Sequence, residues 1–253
     1  MTASAMRAAL VTGAGKRIGR ALALALADAG YDVAVHYNAS STEAEEVASL
    51  IKAKGRKSAA IGADLSSEDE TAALVGKAAS ALGPLSLLVN SASVFEHDDI
   101  TSMTRESWDL HMAVNARAPL KLAQDFAAQA PRGSLIVNLI DQRVLKLTPQ
   151  FLSYTASKSA LFTLTKTLAQ ALGPKGIRVN AIGPGPTLKN PRQSEEDWTR
   201  QNEATILGHG ATTEDMCGAR LYLLSARSVT GQMIAVDGGQ HLAWRTPDVL
   251  VRE

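Results

Sequence analysis

Short apolar runs alternate with longer stretches of helical periodicity from one end of the chain to the other. Residues 7–12 (RAALVT), 32–37 (DVAVHY), 58–63, 85–90 (LSLLVN), 134–140 (SLIVNLI), 177–182 and 233–236 read as strands. The runs at 85–90 and 134–140 suit central parallel strands buried on both faces. Helical patterns cover 18–29, 104–130 and 153–172, and Gly173-Pro174 stops the last of these. Two more helices open on capping boxes, Thr42 with Glu45 and Ser67 with Glu70. This βα repetition predicts an α/β fold: a single-domain, doubly wound, seven-stranded parallel sheet with helices on both faces and right-handed crossovers. No linker or charge block divides the chain. Residues 1–253 therefore read as one domain, with a cofactor-binding half over about 1–130 and a catalytic and substrate half over about 131–253. One stretch breaks the regularity, 183–196 (GPGPTLKNPRQSEE). It reads either as a mobile loop over a site at the strands' C-terminal edge or as a plain surface turn.

Composition narrows the class. With 45% hydrophobic and 20% charged residues, the chain is an ordinary globule rather than a disordered segment. Its 26 basic and 25 acidic side chains leave a formal charge of +1, which argues against nucleic acid or a membrane surface as partner through bulk charge. No apolar run reaches the length of a membrane span, and MTASAMR leads into the first strand without the apolar stretch of a signal peptide. One cysteine, Cys217, permits no internal disulfide and suits a reducing cytoplasm; it reads as a small helix hydrophobe. His97, His111, His209 and His241 lack metal-ligand spacing and read as structural or surface groups, so no metal is expected. Asp98-Asp99 and Glu195-Glu196-Asp197 read as helix-start charges.

The first strand runs into Thr12-Gly13-Ala14-Gly15-Lys16-Arg17-Ile18-Gly19. A strand, a glycine-rich turn and a helix start are what a dinucleotide pyrophosphate needs, because backbone N–H groups and the helix dipole then face the phosphates. NAD selection normally uses a carboxylate at the end of the second strand. Here that stretch is Val35-His36-Tyr37-Asn38-Ala39-Ser40, with no acid. Lys16, Arg17, His36 and Ser40 supply positive charge and donors for a 2′-phosphate, so the expected cofactor is NADP(H). Further on, Tyr154 and Lys158 lie four apart, on one face of a helix. A lysine ammonium beside a phenol lowers the tyrosine's pKa toward the working range and equips it to pass protons. Pro119 has no N–H for the Asn115 carbonyl, so a kink is expected there.

Tyr154-Thr155-Ala156-Ser157-Lys158, the TGxxxGxG-like glycine loop, Asn90-Ser91-Ala92, Val114-Asn115, Arg178-Val179-Asn180-Ala181-Ile182-Gly183-Pro184-Gly185 and Val236-Asp237-Gly238-Gly239 resemble the short-chain dehydrogenases/reductases over nearly the whole chain. The resemblance implies that Gly13, Ile18, Gly19, Asp64, Leu65, Asn90, Ala92, Pro184, Gly185 and Thr187 line the cofactor beside Lys16, Arg17, His36, Ser40, Tyr154 and Lys158, with Asp64 on the adenine. It also implies that Asn115 holds a water linked to the lysine, and that the chain forms a homotetramer. Two residues depart from the family pattern. Arg17 stands where the middle glycine is expected, and Asp141, thirteen residues before Tyr154, stands where a serine is expected. Both departures resemble the pteridine reductase and dihydropterin reductase subgroup, as do His36-Tyr37, Ser40 and Asn90-Ser91-Ala92-Ser93-Val94-Phe95. That resemblance implies NADPH-dependent reduction of a pterin, with Asp141, Tyr154, Lys158 and Asn115 catalytic and Arg17, Ser93, Phe95, Asp141 and Tyr154 on the substrate. The subgroup often has arginine where this chain has Ala39, which weakens the NADPH preference. Two alternatives stand beside this reading: a generic reductase of a ketone or 3-oxoacyl substrate, and an NADPH-binding sensor without turnover. The tail, 244–253, reads as frayed or as covering a neighbour's site.

Overall fold

The computed structural model describes residues 7–244; the remainder of the tail lies outside the described residues. Seven strands form one parallel sheet in the order β3-β2-β1-β4-β5-β6-β7. They are β1 (Ala8–Val11), β2 (Asp32–Tyr37), β3 (Ser58–Gly62), β4 (Leu85–Asn90), β5 (Leu135–Leu139), β6 (Arg178–Pro184) and β7 (Met233–Val236). The helices are α1 (Arg17–Asp28), α2 (Ser41–Ala53), α3 (Glu68–Leu82), α4 (Arg105–Met112), α5 (Ala118–Gln129), α6 (Leu152–Leu172), α7 (Glu195–Glu203) and α8 (Thr213–Ser225). Alternate residues of one strand feed two separate cores. Leu88 packs with Leu122 and Phe126 on one face, while Leu87 and Val89 pack with Leu22, Leu26 and Leu223 on the other. That double burial explains why β4 is apolar without alternation.

Strand order reverses at β1, whose neighbours are β2 and β4. The C-terminal edge at this switch point is where doubly wound sheets take ligands.

Three local expectations need correction. α2 starts at Ser41, so Thr42 lies inside its first turn rather than capping it; the helical ladder already begins at the Ser40 carbonyl, which accepts from Ala44 N–H. The stretch 104–130 is not one helix. A π-helical turn, Ala113–Arg117, separates α4 from α5, and Ala118 N–H reaches back to Ala113 O. Pro119 cannot supply the N–H that the Asn115 carbonyl needs, so one wide turn absorbs the defect. Asp98 and Asp99 do not start a helix of their own. Asp99 closes a local turn with Thr101 and Ser102, while Asp98 is buried and accepts from Ser153 N–H at the start of α6, 55 residues away.

Candidate active site at the switch point

The glycine loop packs too tightly for side chains. A Cβ on Gly13 (φ +63°) would meet the Ala92 backbone at 2.9 Å, and one on Gly19 would run into Gly13 O. The loop is braced from both sides. Thr12 Oγ1 accepts from the N–H groups of Ser91 and Ala92, tying β1 to the end of β4. His36 Nδ1 accepts from Gly13 N–H at 3.0 Å, and Nε2 donates to Ala63 O at 3.0 Å. Burial holds this imidazole neutral, with its pKa lowered to about 4. His36 is therefore a brace for the loop. The expectation that it donates to a 2′-phosphate fails, because both ring nitrogens are engaged and the ring is 1% exposed.

Arg17 opens α1 with φ +52°. A left-handed residue with a side chain costs roughly 1–2 kcal/mol, which explains why the family pattern has glycine here. The guanidinium is exposed, and it donates to the carbonyls of Lys189 (2.9 Å) and Leu188 (2.7 Å) in the irregular 183–196 stretch. Arg192 of the same stretch donates to Phe95 O at 2.8 Å and pairs with Glu96. This stretch thus bridges the mouth of the crevice, tied to the glycine loop on one side and to the Phe95 segment on the other. Pro184, Gly185 and Thr187 lie at its root, where Thr187 Oγ1 donates to Gly185 O. Gly185 sits so close to Asp237 that no side chain fits.

The expected cofactor-side residues sit along this edge, though several face protein. Ile18 and Leu65 pack among apolar neighbours. Asp64 accepts from Ser66 N–H and Oγ in the turn before α3. Asn90 Nδ2 donates to Asn138 Oδ1, starting a buried chain that continues to Thr165. The glycine cradle at the switch point and the start of α1 fit a dinucleotide's pyrophosphate.

At the catalytic corner, α6 presents Tyr154 and Lys158 one turn apart, both buried. Tyr154 Oη donates to Asp141 Oδ2 at 2.8 Å, and Asp141 Oδ1 accepts from Arg143 N–H at 2.8 Å. Lys158 Nζ donates to Leu139 O at 2.9 Å and stands 5.7 Å from the Tyr154 ring centroid. The expected lowering of the tyrosine's pKa is reversed here. Burial, and then the Asp141 carboxylate beside it, push the Tyr154 phenol well above its ordinary value. Burial likewise raises the Asp141 carboxyl, against the pull of its Arg143 and Tyr154 hydrogen bonds. Burial lowers the Lys158 ammonium to about 8. Burial thus pushes the carboxyl and the phenol toward their protonated forms and the ammonium toward its neutral one.

Asn115, buried in the π turn, cross-links the site. Its Oδ1 accepts from Val94 N–H and Ser93 Oγ, and its Nδ2 donates to Val94 O and Ser157 Oγ. These bonds fix the segment that carries Phe95. Phe95 lies flat on Phe151, with centroids 4.5 Å apart and planes at 6°, and edge-on to Tyr154 at 4.6 Å.

Sequence reasoning missed Phe151 and Arg143. Phe151 adopts φ +60°, an outlier for an aromatic residue, and the Arg143 guanidinium covers its ring at 4.9 Å. The signal available was position alone: Phe151 lies one helical turn before Tyr154, and Arg143 two residues after Asp141.

Known proteins match this arrangement along nearly the whole chain. A family model described as enoyl-(acyl carrier protein) reductase matches residues 13–241. The 3-oxoacyl-[acyl-carrier-protein] reductase FabG of Staphylococcus aureus (strain Mu50) is 34% identical, over 93% of this chain and 98% of that protein. Two solved structures superpose with TM-score 0.92. One is FolM alternative dihydrofolate reductase 1 from Brucella canis, complexed with NADP, at 46% identity over 96% of this chain and 97% of that one. The other is its Brucella suis counterpart, in complex with NADP, at 47% over 96% and 98%. With its parallel sheet, glycine loop and Tyr154–Lys158 pair, the chain belongs to the short-chain dehydrogenase/reductase family.

Proposed function

We propose that the protein is an NADPH-dependent reductase of a dihydropterin-type heterocycle, adding hydride to carbon and a proton to nitrogen across a C=N bond. The observation that carries this reading is the 2.8 Å hydrogen bond from Tyr154 Oη to Asp141 Oδ2. An aspartate in place of serine is a poor partner for a developing alkoxide. Burial raises the Asp141 carboxyl, and a carboxyl that holds a proton donates well to a ring nitrogen. The glycine cradle at the end of β1 would hold a reduced nicotinamide dinucleotide, which would supply the hydride. Asp141 and Tyr154 share delivery of the proton to the ring nitrogen, linked by the Tyr154 Oη hydrogen bond to the carboxyl. Lys158 keeps positive charge beside the pair. Asn115 holds the Phe95 segment so that its ring, already edge-on to Tyr154, offers a flat surface to a planar ligand. Arg17 and Ser93 stand at the rim. The 46–47% identity to two FolM structures crystallised with NADP supports the same choice of cofactor and substrate.

The second reading, reduction of a 3-oxoacyl thioester, has the FabG relatives at 34% identity in its favour. One assay separates the two: NADPH oxidation with 7,8-dihydropterin and with a 3-oxoacyl thioester, for the native protein and for Asp141→Ser. The first reading expects turnover of the dihydropterin, with a loss of on the order of 100-fold in the variant. Turnover of the thioester alone, kept or improved in Asp141→Ser, establishes the second. NADPH binding without turnover of either points to a sensor. Residence in the cytoplasm and assembly as a homotetramer belong to the same proposal. The unpaired thiol of Cys217 suits the first. Light scattering after size exclusion tests the second, and a monomer refutes it.

A further inference from the structure

The groups expected to greet a 2′-phosphate have dispersed. His36 is turned inward onto Gly13 and Ala63. Arg17 is spent on the carbonyls of Leu188 and Lys189. Position 39 is an alanine. Lys16 remains, and its Nζ lies 2.7 Å from Glu43 Oε1, with both side chains well exposed. Glu43 sits in the first turn of α2. That turn flanks the place where doubly wound folds seat the adenosine ribose, beyond the end of the second strand. The glycine loop abuts the same turn: a Cβ on Gly15 would meet Ser40 Oγ at 3.1 Å and Ala44 N at 3.3 Å. Ser40 stands at the N-cap of α2 and makes no side-chain capping bond, which leaves its hydroxyl free for a ligand.

We infer that Glu43 is a specificity-determining residue, setting the balance between 2′-phosphate and 2′-hydroxyl cofactors by competing with the phosphate for Lys16. The acid that NAD-selective sheets carry at the end of the second strand is missing there and reappears a few residues later, on the following helix. With a 2′-phosphate bound, Lys16 must leave Glu43 and the carboxylate stands beside a dianion. With a 2′-hydroxyl, Lys16 stays paired and Glu43 accepts the hydroxyl's hydrogen. The protein therefore takes both cofactors, with a modest preference for the phosphorylated one. This inference concerns cofactor binding alone and does not rest on the pterin reading.

The test is a double-mutant cycle of binding constants, with NADP⁺ and NAD⁺ titrated by calorimetry in the absence of substrate. Glu43→Gln is expected to tighten NADP⁺ about fivefold and to weaken NAD⁺ about twofold. Lys16→Gln is expected to weaken NADP⁺ about fivefold and to leave NAD⁺ unchanged. In the Lys16→Gln background the NADP⁺ gain from Glu43→Gln shrinks, because no lysine remains to be released. Unchanged or weaker NADP⁺ binding in Glu43→Gln overturns the inference. So does a gain equally large without Lys16, which would leave simple repulsion and no competition. Failure of either kind leaves the dihydropterin assay untouched.

Discussion

The crevice carries a charged cluster at each end, and the two live under opposite solvation. Asp141, Tyr154 and Lys158 share an inner corner at the start of α6, where Tyr154 and Lys158 are 5% and 2% exposed and Asp141 is half-buried. Lys16 and Glu43 face solvent, with side chains 57% and 38% exposed. At the inner end, burial is the leading cause of every pKa displacement. At the wet end, the hydrogen bond from Lys16 is the leading cause of the lowered Glu43 carboxyl. In the inner cluster burial favours the protonated carboxyl and the neutral lysine, and removing one member disturbs the others. The wet cluster can only attract or repel, and salt screens what it does. On the proposed function and the inference about Glu43, chemistry belongs at the first and discrimination at the second.

The sharpest way to break this contrast is Tyr154→Phe. It removes a proposed member of the proton relay and leaves the ring, so kcat should fall on the order of a thousandfold. NADP⁺ affinity should stay within about twofold. Stopped-flow turnover and calorimetric binding read the two separately. A variant that keeps a tenth of the activity would take Tyr154 out of the chemistry.

Next in size is the alkaline limb of the rate. Lys158 carries charge below about pH 8 and loses it above, since burial has lowered its pKa from 10.5 to about 8. If the charged form is the active one, kcat/KM falls about tenfold per pH unit above 8. Lys158→Arg should move that limb beyond pH 10, because a guanidinium stays charged. A profile flat from pH 7 to 10 in the native protein would show that the ammonium's charge plays no part.

How much of this was legible beforehand follows the same divide between buried and exposed. The sheet and its seven strands came from apolar runs, because burial on two faces leaves a continuous pattern; the strand order that creates the switch point came from the fold. Gly13 and Gly19 were readable because close backbone approach admits nothing larger. Asp141 and Tyr154 were readable as a pair from family spacing, but the direction of the tyrosine's pKa was not. That direction is set first by burial and then by the Asp141 carboxylate, which the structure puts on the hydroxyl while the Lys158 ammonium sits on Leu139 O. His36 was misjudged for a related reason: a histidine at a strand end donates to a ligand or to its own loop, and only the fold decides. Asp98 capping α6 from 55 residues away, and Arg17 and Arg192 tying down the stretch over the crevice, are long-range hydrogen bonds with no periodic trace.

His36 supplies a smaller prediction, on stability. Its folded pKa, about 4, lies below the ordinary 6.5, so the unfolded chain binds the proton more readily. Its contribution is present above pH 6.5 and is lost as pH falls toward 4, by at most about 3 kcal/mol for this buried ring. Urea unfolding at pH 7 and at pH 4.5 should show that loss. His36→Asn should be less stable at pH 7 and flatter over the same interval. The Gly13 loop hangs on this ring, so NADP⁺ affinity should fall with stability over that pH range. An equal acid loss in His36→Asn would assign it to other groups.

The smallest effect is expected at the wet end, and it separates the two clusters most cleanly. A 2′-phosphate adds about two negative charges at a solvent-exposed place served by Lys16. Raising ionic strength from about 0.05 to 0.5 M shortens the screening length from roughly 14 to 4 Å. The NADP⁺-over-NAD⁺ preference should therefore shrink about two- to threefold, since the attraction operates through water. NAD⁺ binding should barely change, because Lys16 and Glu43 neutralise each other when no phosphate intervenes. The Lys158 limb of the pH profile should keep its midpoint near 8, because burial rather than an exposed charge sets it. A salt-driven shift of that midpoint by a full pH unit, with the cofactor preference constant, would reverse the assignment of which cluster faces water.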